Sequence, residues 1–554
     1  MNTQNADPED QAVDDDGSSD LLPTRKSQSY NSFDTGYLPS VTLDEALFQK
    51  FRQKALSYRE NVAAILEEHG NETLFDYVTS YTKENPNKLL KPRREELISV
   101  FQKQVQKTLG SSIAASVAKQ LKTNHSVSTC QKTNPLSNPY TLNATLENSL
   151  PYFAGGNNPS LQNIIVLACA NVSFNNWNYP KGHLFHSFTE EKMFTNLLPF
   201  FGHAYDSRPV IFHKSYEQDA IIDTKGRLEQ LRREGAIGKK EIDRIKVLVD
   251  EIYASPHAMS MDTYVDQLTV TNYYFFKKLF SGYKKFTPNL IFLSQEMITL
   301  QLLSEYHLKQ DTIINKIIFD DRLEQLIYKH LEGIRGTFDR SREYGTYLFW
   351  GISKDRKLKL KLWREGNFLV SKDGSFKLEL TPEAIADAIA DNSLIPSLFL
   401  VFATLGFYYG LQVSGGYVQT MYLTQMKERY QAMLREYGME EESQMAETVA
   451  TKNFVIAFPS IAFLQSPGDY RVPATGLDFA LYGQGGRYWP EVLQATKSTT
   501  LNELVNRVLP SYYREFCPDT EKDESLAQIT EADIEKFTGL DKKVPTIATA
   551  KDIL

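Results

Sequence analysis

Apolar positions recur at helical spacing through the first third of the chain. A capping box, Thr42-Leu-Asp-Glu45, precedes the amphipathic run ALFQKFRQKALSYRENVAAILEEHG, and Gly70 follows it as a helix stop. The same spacing continues to about residue 122, with breaks at Asn85-Pro86-Asn87 and at Gly110. We therefore predict a mainly helical N-terminal region over residues 41–140.

Strand patterns begin after this region. Residues 163–170, NIIVLACA, form a continuous apolar run typical of a strand buried on both faces, and PVIFHK (209–214) predicts a second strand. A helix is predicted between them at 187–200. Further along, residues 346–380 alternate apolar and polar positions around a Lys372-Asp-Gly374 turn, which predicts a β-meander.

Helical periodicity returns between the strand patterns and the meander. Residues 225–254 predict a charged helical hairpin, and helices are predicted over 262–281, 294–309 and 311–333. Residues 394–411 carry no charge and predict a buried core helix. This segment is close to the length of a bilayer crossing, so membrane association remains open, although the proline within it and the aspartates before it disfavour a span.

Together these patterns predict an α/β or α+β fold in which a mainly helical N-terminal third packs on a central mixed sheet. A strand at 454–464 and a helix at 499–515 complete the C-terminal part. The predicted division of the chain is an acidic tail (1–40), a helical region (41–140), an α/β core with a helical insertion at 224–333 (141–345), an α/β C-terminal part with the buried helix (346–520) and a peripheral polar tail (521–554).

The distribution of charge narrows the classes of partner. The 554 residues carry a net charge of −8, most of it in residues 1–40, whose composition predicts a disordered tail that could contact a protein partner. The remainder is nearly neutral and lacks the basic excess that nucleic-acid binding requires. Three scattered cysteines without a CxxC pair, and no secretory signal at the start, predict a cytoplasmic location.

The most informative part of the sequence is an uncharged segment that is followed directly by a cluster of titratable groups. Residues 148–180 contain no charged side chain, and Lys181, His183, His186 and Glu190 follow at once. A helix starting at the glycine after Lys181 would place both histidines and Glu190 on one face. Two interpretations remain open: acid/base catalysis by Lys181, His183 and His186, or binding of a transition metal. No metal ligand is assigned, and the cofactor remains unknown.

Amide and aromatic side chains lie just before that cluster. Asn175, Asn176 and Tyr179 are suited to orienting a neutral polar substrate, since an amide both donates and accepts hydrogen bonds. The same asparagines could instead build turns through their own backbone. Further along, Trp350 and Tyr347 are three apart and would face opposite sides of a strand, so we expect at least one of them in the core.

Two glycine-rich segments complete the set of candidate binding residues. A helix beginning at about residue 417 would place Gly415 and Gly416 at its start and Gln419 and Tyr422 on one face. Arg487 follows Gly-Gln-Gly-Gly and is the most plausible partner for an anion in the C-terminal third. An ordinary turn is the competing interpretation of both segments.

The motif inventory excludes many families without selecting one. GxSxG, the kinase motifs, EF-hand loops and zinc-ribbon spacings are all absent. We predict a soluble enzyme that acts on a polar small metabolite, of undetermined reaction class, with acid/base groups from the loop 171–190. The alternative is a non-catalytic interaction protein that uses the acidic tail and the charged hairpin 225–254.

Overall fold

The computed structural model describes residues 41–83, 93–136, 138–156, 158–188, 193–466 and 470–549. The predictions for the tail at 1–40, for the break at Asn85–Asn87 and for Glu190 lie outside the described residues. Within them the predicted fold class is confirmed, because helices surround a central parallel sheet and a second, antiparallel sheet. The predicted domain boundaries stay predictions.

Among the described residues the strands are short, and three of them reach seven residues. In chain order they are β1 (Ser126–Ser128), β2 (Asn163–Ala168), β3 (Gly182–Phe188), β4 (Met193–Pro199), β5 (Asn289–Ser294), β6 (Phe338–Asp339), β7 (Tyr344–Gly345), β8 (Phe349–Ile352), β9 (Lys359–Glu365), β10 (Phe368–Ser371), β11 (Lys377–Glu379), β12 (Leu394–Pro396), β13 (Gln412–Ser414), β14 (Phe463–Gln465) and β15 (Arg471–Pro473).

Helices make up most of the rest of the described chain. They are α1 (Glu45–Ser57), α2 (Glu60–His69), α3 (Leu74–Tyr81), α4 (Arg94–Leu109), α5 (Ser111–Leu121), α6 (Pro139–Gly155), α7 (Gln218–Arg233), α8 (Lys239–Leu248), α9 (Pro256–Met259), α10 (Tyr264–Leu279), α11 (Gln295–Leu302), α12 (Ile313–Phe319), α13 (Asp321–Leu331), α14 (Pro382–Ala390), α15 (Leu398–Phe402), α16 (Tyr417–Tyr437), α17 (Glu440–Glu447), α18 (Gly476–Tyr482), α19 (Trp489–Thr496), α20 (Leu501–Phe516), α21 (Glu524–Ala527), α22 (Glu531–Thr538) and α23 (Leu540–Lys543).

The central sheet has four parallel strands in the order β13-β1-β2-β5. All six residues of β2 are buried, because helices cover both faces of the sheet. Ile164 and Val166 face the apolar cluster that includes α6 and α10, whereas Ile165 and Leu167 face the cluster formed with α4, α5 and α11. This two-sided burial explains the unbroken apolar run in the sequence.

The predicted meander is confirmed as the five-stranded antiparallel sheet β11-β10-β9-β8-β12. The turn at Lys372–Gly374 joins β10 to β11, and Gly374 has a φ of +69°, which suits glycine. Thr381 caps α14 through its hydroxyl, with Pro382 at the first helical position, as the sequence predicts.

The helical hairpin is confirmed, and its charges pair within it. Its arms are α7 and α8, the second extended by a π-helical turn at Val249–Tyr253. Lys225 pairs with Asp250, and Lys246 pairs with Glu229. Much of the charge that suggested a contact surface therefore has a partner on the same hairpin.

Five sequence predictions of local structure are wrong. The N-cap of α1 is Asp44 rather than Thr42, and of the predicted strand 454–464 only the last two residues lie in a strand. PVIFHK is not a strand, and only single bridges form at Pro209 and Lys214. Residues 193–199 form strand β4 rather than part of a helix. The segment 394–411 is buried, but it begins as strand β12 and becomes helical only at Leu398. Among the described residues no helix is both long and apolar enough to cross a membrane.

A candidate small-molecule site at the carboxyl edge of the parallel sheet

Four strand ends meet at one edge of the parallel sheet. β1 leads into Thr129 and Cys130, β2 into Cys169 and Asn171, β5 into α11, and β13 into α16. Ligands of open α/β sheets bind in the crevice outside the carboxyl ends of the strands. The edge is therefore the first place to look for a site.

A narrow pocket opens at the ends of β2 and β5. Its lining includes Cys169 and Asn171 from the end of β2, Glu296 from α11, and Trp350 from β8. Its volume of 20 Å³ is about that of one water molecule. In the described conformation the pocket therefore accommodates a single polar group rather than a whole metabolite.

Glu296 is a buried carboxylate whose oxygens are fixed by the ends of both strands. Backbone N–H groups of Ala170 and Asn171 donate to it at 2.9 and 3.3 Å. The Ser294 hydroxyl and the Gln295 amide donate at 2.9 and 3.2 Å. Donors of this kind compensate the cost of burying a carboxylate, so Glu296 supplies fixed negative charge beside the pocket.

Asn171 lines this pocket and carries a buried side-chain oxygen that accepts no hydrogen bond from a described residue. The residue is 8% exposed. Its backbone carbonyl accepts from Lys359 Nζ at 3.1 Å, and that ammonium lies 4.9 Å from the Trp350 ring centroid. Such an orphaned buried oxygen costs free energy unless a donor reaches it.

The neighbouring crevice lies between β1 and β13. The helices that follow these strands, α6 and α16, lie in different apolar clusters, so the chain leaves the sheet towards opposite faces here. The predicted start of α16 at Tyr417 is confirmed. Gln419 donates to the Thr129 hydroxyl at 2.6 Å, and a Cβ at Gly415 would lie 2.2 Å from the Gln419 amide carbon. Gly415 therefore makes room for Gln419.

Cys130 lies against the start of α16 on this crevice. A Cβ at Gly416 would lie 3.6 Å from its Sγ. Burial and, as a smaller cause, the charge of Glu147 raise the pKa of the Cys130 thiol to about 12. The thiol is therefore protonated at neutral pH and is not an activated nucleophile.

Glu147 is a titratable residue of this region that the sequence reasoning missed. It lies on α6 and accepts from the Ser460 hydroxyl at 2.5 Å and from the Ile456 N–H at 3.0 Å. Burial raises its pKa to about 8, although these hydrogen bonds lower it. A signal existed, because Glu147 is the only charged residue between Lys132 and Lys181.

The two predicted catalytic histidines do not share a face. They lie on strand β3, not on a helix, and three residues apart on a strand they point to opposite sides. His183 is enclosed by the rings of Phe200, Tyr253 and Phe275, and neither of its ring nitrogens has a partner. Burial lowers the pKa of His183 to about 3, so it is a neutral core residue.

His186 is held by α18. Its Nδ1 lies 2.7 Å from Asp478 Oδ2, and its backbone N–H donates to Asp478 Oδ1, also at 2.7 Å. Asp478 in turn forms a capping box with Thr475. The prediction that His183 and His186 share a helix face is wrong, because Gly182–Phe188 is a strand. The described residues contain no group of three His, Cys, Asp or Glu side chains placed to hold a metal ion.

The remaining residues of the loop 171–190 mostly contact one another or nearby loops. Lys181 pairs with Asp206 at 2.6 Å. Asn176 is buried and accepts from the backbone N–H of Asn178 at 3.1 Å, which is turn geometry. Asn175 is exposed and accepts from the Ser173 hydroxyl. Tyr179 is buried with a φ of +57°, a conformation uncommon for a residue with a side chain.

The other predicted binding residues are dispersed. Tyr422 is buried beside Gly336, a residue of the pocket lining, although its own side chain faces the core around Phe402. Arg487 is exposed on a turn whose Gly485 carbonyl accepts from the N–H of Gly282 at 2.8 Å. Tyr347 is fully buried, so the expectation of a core residue in that pair is confirmed.

Comparison with known proteins found no similarity that bears on the site. No protein-family model matches the chain. No curated protein is similar to it at a significant level.

Proposed function

We propose that the protein is an enzyme acting on a polar small metabolite that binds at the carboxyl edge of the parallel sheet. The observation that carries the proposal is the buried, unpartnered side-chain oxygen of Asn171 in the lining of the edge pocket. A ligand N–H or O–H group would satisfy this acceptor. Trp350 supplies an apolar wall, as expected of a small-molecule site.

The charges around the edge pocket favour a donor group over an anion. Glu296 places a fixed carboxylate beside Asn171, and the Lys359 ammonium is already engaged by the Asn171 backbone carbonyl and the Trp350 ring. A neutral or cationic donor is attracted by this arrangement, whereas a carboxylate or phosphate is repelled by Glu296. The substrate class is therefore a polar molecule that carries an amine, amide or hydroxyl group.

The proposal does not depend on acid/base chemistry from Lys181, His183 or His186. Lys181 pairs with Asp206, His183 lies among aromatic rings, and His186 is bound to Asp478. Cys169 is the partly exposed residue of the pocket that carries a reactive group. It is the first residue to substitute in a search for chemistry.

The test is depletion of metabolites from a cell extract by the purified protein, followed by mass spectrometry. We expect the wild type and the control Asn367→Leu, at an exposed turn position outside the pocket lining, to deplete the same compound. Asn171→Leu removes the acceptor while keeping a similar volume, so it should lose that activity and retain its fold. Equal depletion by Asn171→Leu, or depletion by none of the proteins, would contradict the proposal.

A further inference from the structure

A larger groove lies between α2 and α16, apart from the edge pocket. Its volume is 430 Å³, within the range of small-molecule sites. One wall comes from the start of α2 at Arg59 and Asn61, and the other from Thr420 and Thr424 of α16. No residue lines both this groove and the edge pocket, so the inference below does not rest on the proposed function.

Arg59 is a buried cation that forms no ion pair with a described residue, although Glu515 attracts it from a longer distance. It is 8% exposed, and its Nε and Nη2 atoms donate to no described residue. Only Nη1 has a partner, the backbone carbonyl of Tyr58 at 2.9 Å. Within the described part of the chain, no carboxylate lies within 4.0 Å of the guanidinium. A buried charge in this situation is costly unless a partner is supplied.

The two unpartnered nitrogens form the side of the guanidinium that binds a carboxylate with two parallel hydrogen bonds. The chain contains an example of this geometry. Nε and Nη2 of Arg340 each donate at 2.8 Å to one oxygen of Glu332. Arg59 has the same fork of two nitrogens free of partners, but both nitrogens are buried in the groove wall, so a ligand contacts them only by reaching below the surface of the groove.

Aromatic rings hold the Arg59 fork in place. Its guanidinium carbon lies 3.1 Å from the Phe516 ring centroid and 5.7 Å from that of Tyr417. Stacking of this kind leaves the edge of the guanidinium available for hydrogen bonding. The geometry is thus fixed before any ligand arrives, which lowers the entropy cost of binding.

The rim of the groove carries the opposite charge. Glu60, Glu68 and Glu428 are exposed and line the groove, against the single exposed cation Lys452. These acids oppose a dianion such as phosphate and favour a cationic group near the opening. A ligand that matches both ends carries a carboxylate and an ammonium group.

We infer that the groove between α2 and α16 binds a small zwitterion of the amino-acid class. The carboxylate takes both hydrogen bonds from Arg59, and the ammonium group lies among Glu60, Glu68 and Glu428. Asn61 is already held by the Tyr417 carbonyl and the Thr420 hydroxyl, so it shapes the wall rather than recognising the ligand.

The test is calorimetric titration of the full chain with each common L-amino acid in turn. Acetate, methylamine and inorganic phosphate serve as probes that carry only one of the two charges or a larger negative charge. We expect at least one amino acid to bind, and the single-charge probes to bind at least about tenfold more weakly, since each lacks one ionic contact.

Substitutions locate the site. Arg59→Lys keeps the charge but removes the fork, and should weaken binding by about tenfold or more. The matched control is Arg52→Lys on α1, where the side chain donates to Asn502 and Asn506 and does not line the groove. Binding by the control should equal that of the wild type. Unchanged affinity in Arg59→Lys would overturn the inference.

If Arg59→Lys does not fold, Glu428→Gln is the second variant that tests the inference. Glu428 is exposed, so the variant should unfold at the same temperature as the wild type. We expect it to bind the amino acid several-fold more weakly and acetate no more weakly. Phosphate binding tighter than any amino acid, or no binding by any probe, would also overturn the inference.

Discussion

At the residue scale, the structure reassigns His183 from chemistry to packing. The sequence could show that His183 follows an uncharged segment, but not that three aromatic rings surround it. Those rings, at positions 200, 253 and 275, are brought together only by the tertiary fold. A histidine with two unpartnered nitrogens is there for its shape and not for its hydrogen bonds.

His183→Ala should therefore destabilise the protein by about 2–4 kcal/mol, the usual cost of a cavity in a packed core. His183→Leu should lower the unfolding free energy by clearly less than His183→Ala does, since an apolar side chain fills the space and leaves no nitrogen unpaired. Urea unfolding of both variants is the measurement. His203→Ala, at a side chain that is 93% exposed, is the control. Equal stability of the wild type and His183→Ala would contradict a core role.

Glu147 gives a second prediction at this scale. Its folded pKa of about 8 lies above the unfolded value of about 4.3, so the folded state holds a proton that the unfolded state releases between these values. Stability is therefore lost as pH rises from about 4.3 to about 8, by up to a few kcal/mol. Glu147→Gln should lose less stability over this window. Parallel curves for the two proteins, measured by urea unfolding, would show that Glu147 titrates normally.

At the element scale, long and strongly patterned elements could be predicted from the sequence, and short ones could not. The start of α16 at Tyr417 and the cap of α14 at Thr381 follow from local signals. Strands β1 and β13 have three residues each, and their pairing depends on neighbours far away in the chain. Local sequence patterns could therefore predict only part of the edge of the central sheet, and only part of the candidate site at that edge.

The segment at β3 shows the same limit. GHLFHSF fits helical and extended spacing equally well, and the strand forms because β4 pairs with all seven of its residues. The Thr475–Asp478 capping box is a local signal at the start of α18. Its bond to His186 joins positions 292 residues apart, which no local pattern reveals.

Asp478→Asn tests this link between α18 and β3. The substitution replaces one acceptor oxygen with an NH2 donor, which then faces an N–H donor of His186 or Thr475, so we expect a loss of about 2–4 kcal/mol in unfolding free energy. Asp76→Asn is the matched control, since Asp76 holds the same position behind Thr73 but is itself exposed on α3. The control should lose no more than about 1 kcal/mol. Equal losses would show that the cap alone matters.

At the scale of the whole molecule, three buried histidines set the response to acid. Burial lowers the pKa of His125 to about 4 and those of His183 and His307 to about 3. Each is protonated near pH 6.5 when the chain unfolds, so stability present above about 6.5 is lost as pH falls towards these folded values.

Because Glu147 acts in the opposite direction, we expect maximum stability at about pH 6.5–7. Thermal unfolding across a pH series checks this expectation. The gap in unfolding temperature between the wild type and His183→Leu should narrow or reverse as the pH falls, since the variant removes one of the histidines whose pKa burial lowers. A gap that stays constant with pH would contradict the assignment of His183 as a neutral core residue.

The order of strands in the central sheet has a consequence for how the chain is made. β1 lies between β2 and β13, yet its second neighbour is synthesised almost three hundred residues later. The contact partners of the first helices are synthesised later still, because Leu74 hydrogen-bonds to Thr499 and Arg52 contacts Asn506 on α20. A ribosome-bound chain that ends before α20 therefore exposes apolar surface on α1 to α3. Such a chain should depend on chaperones more than a protein whose domains close one after another.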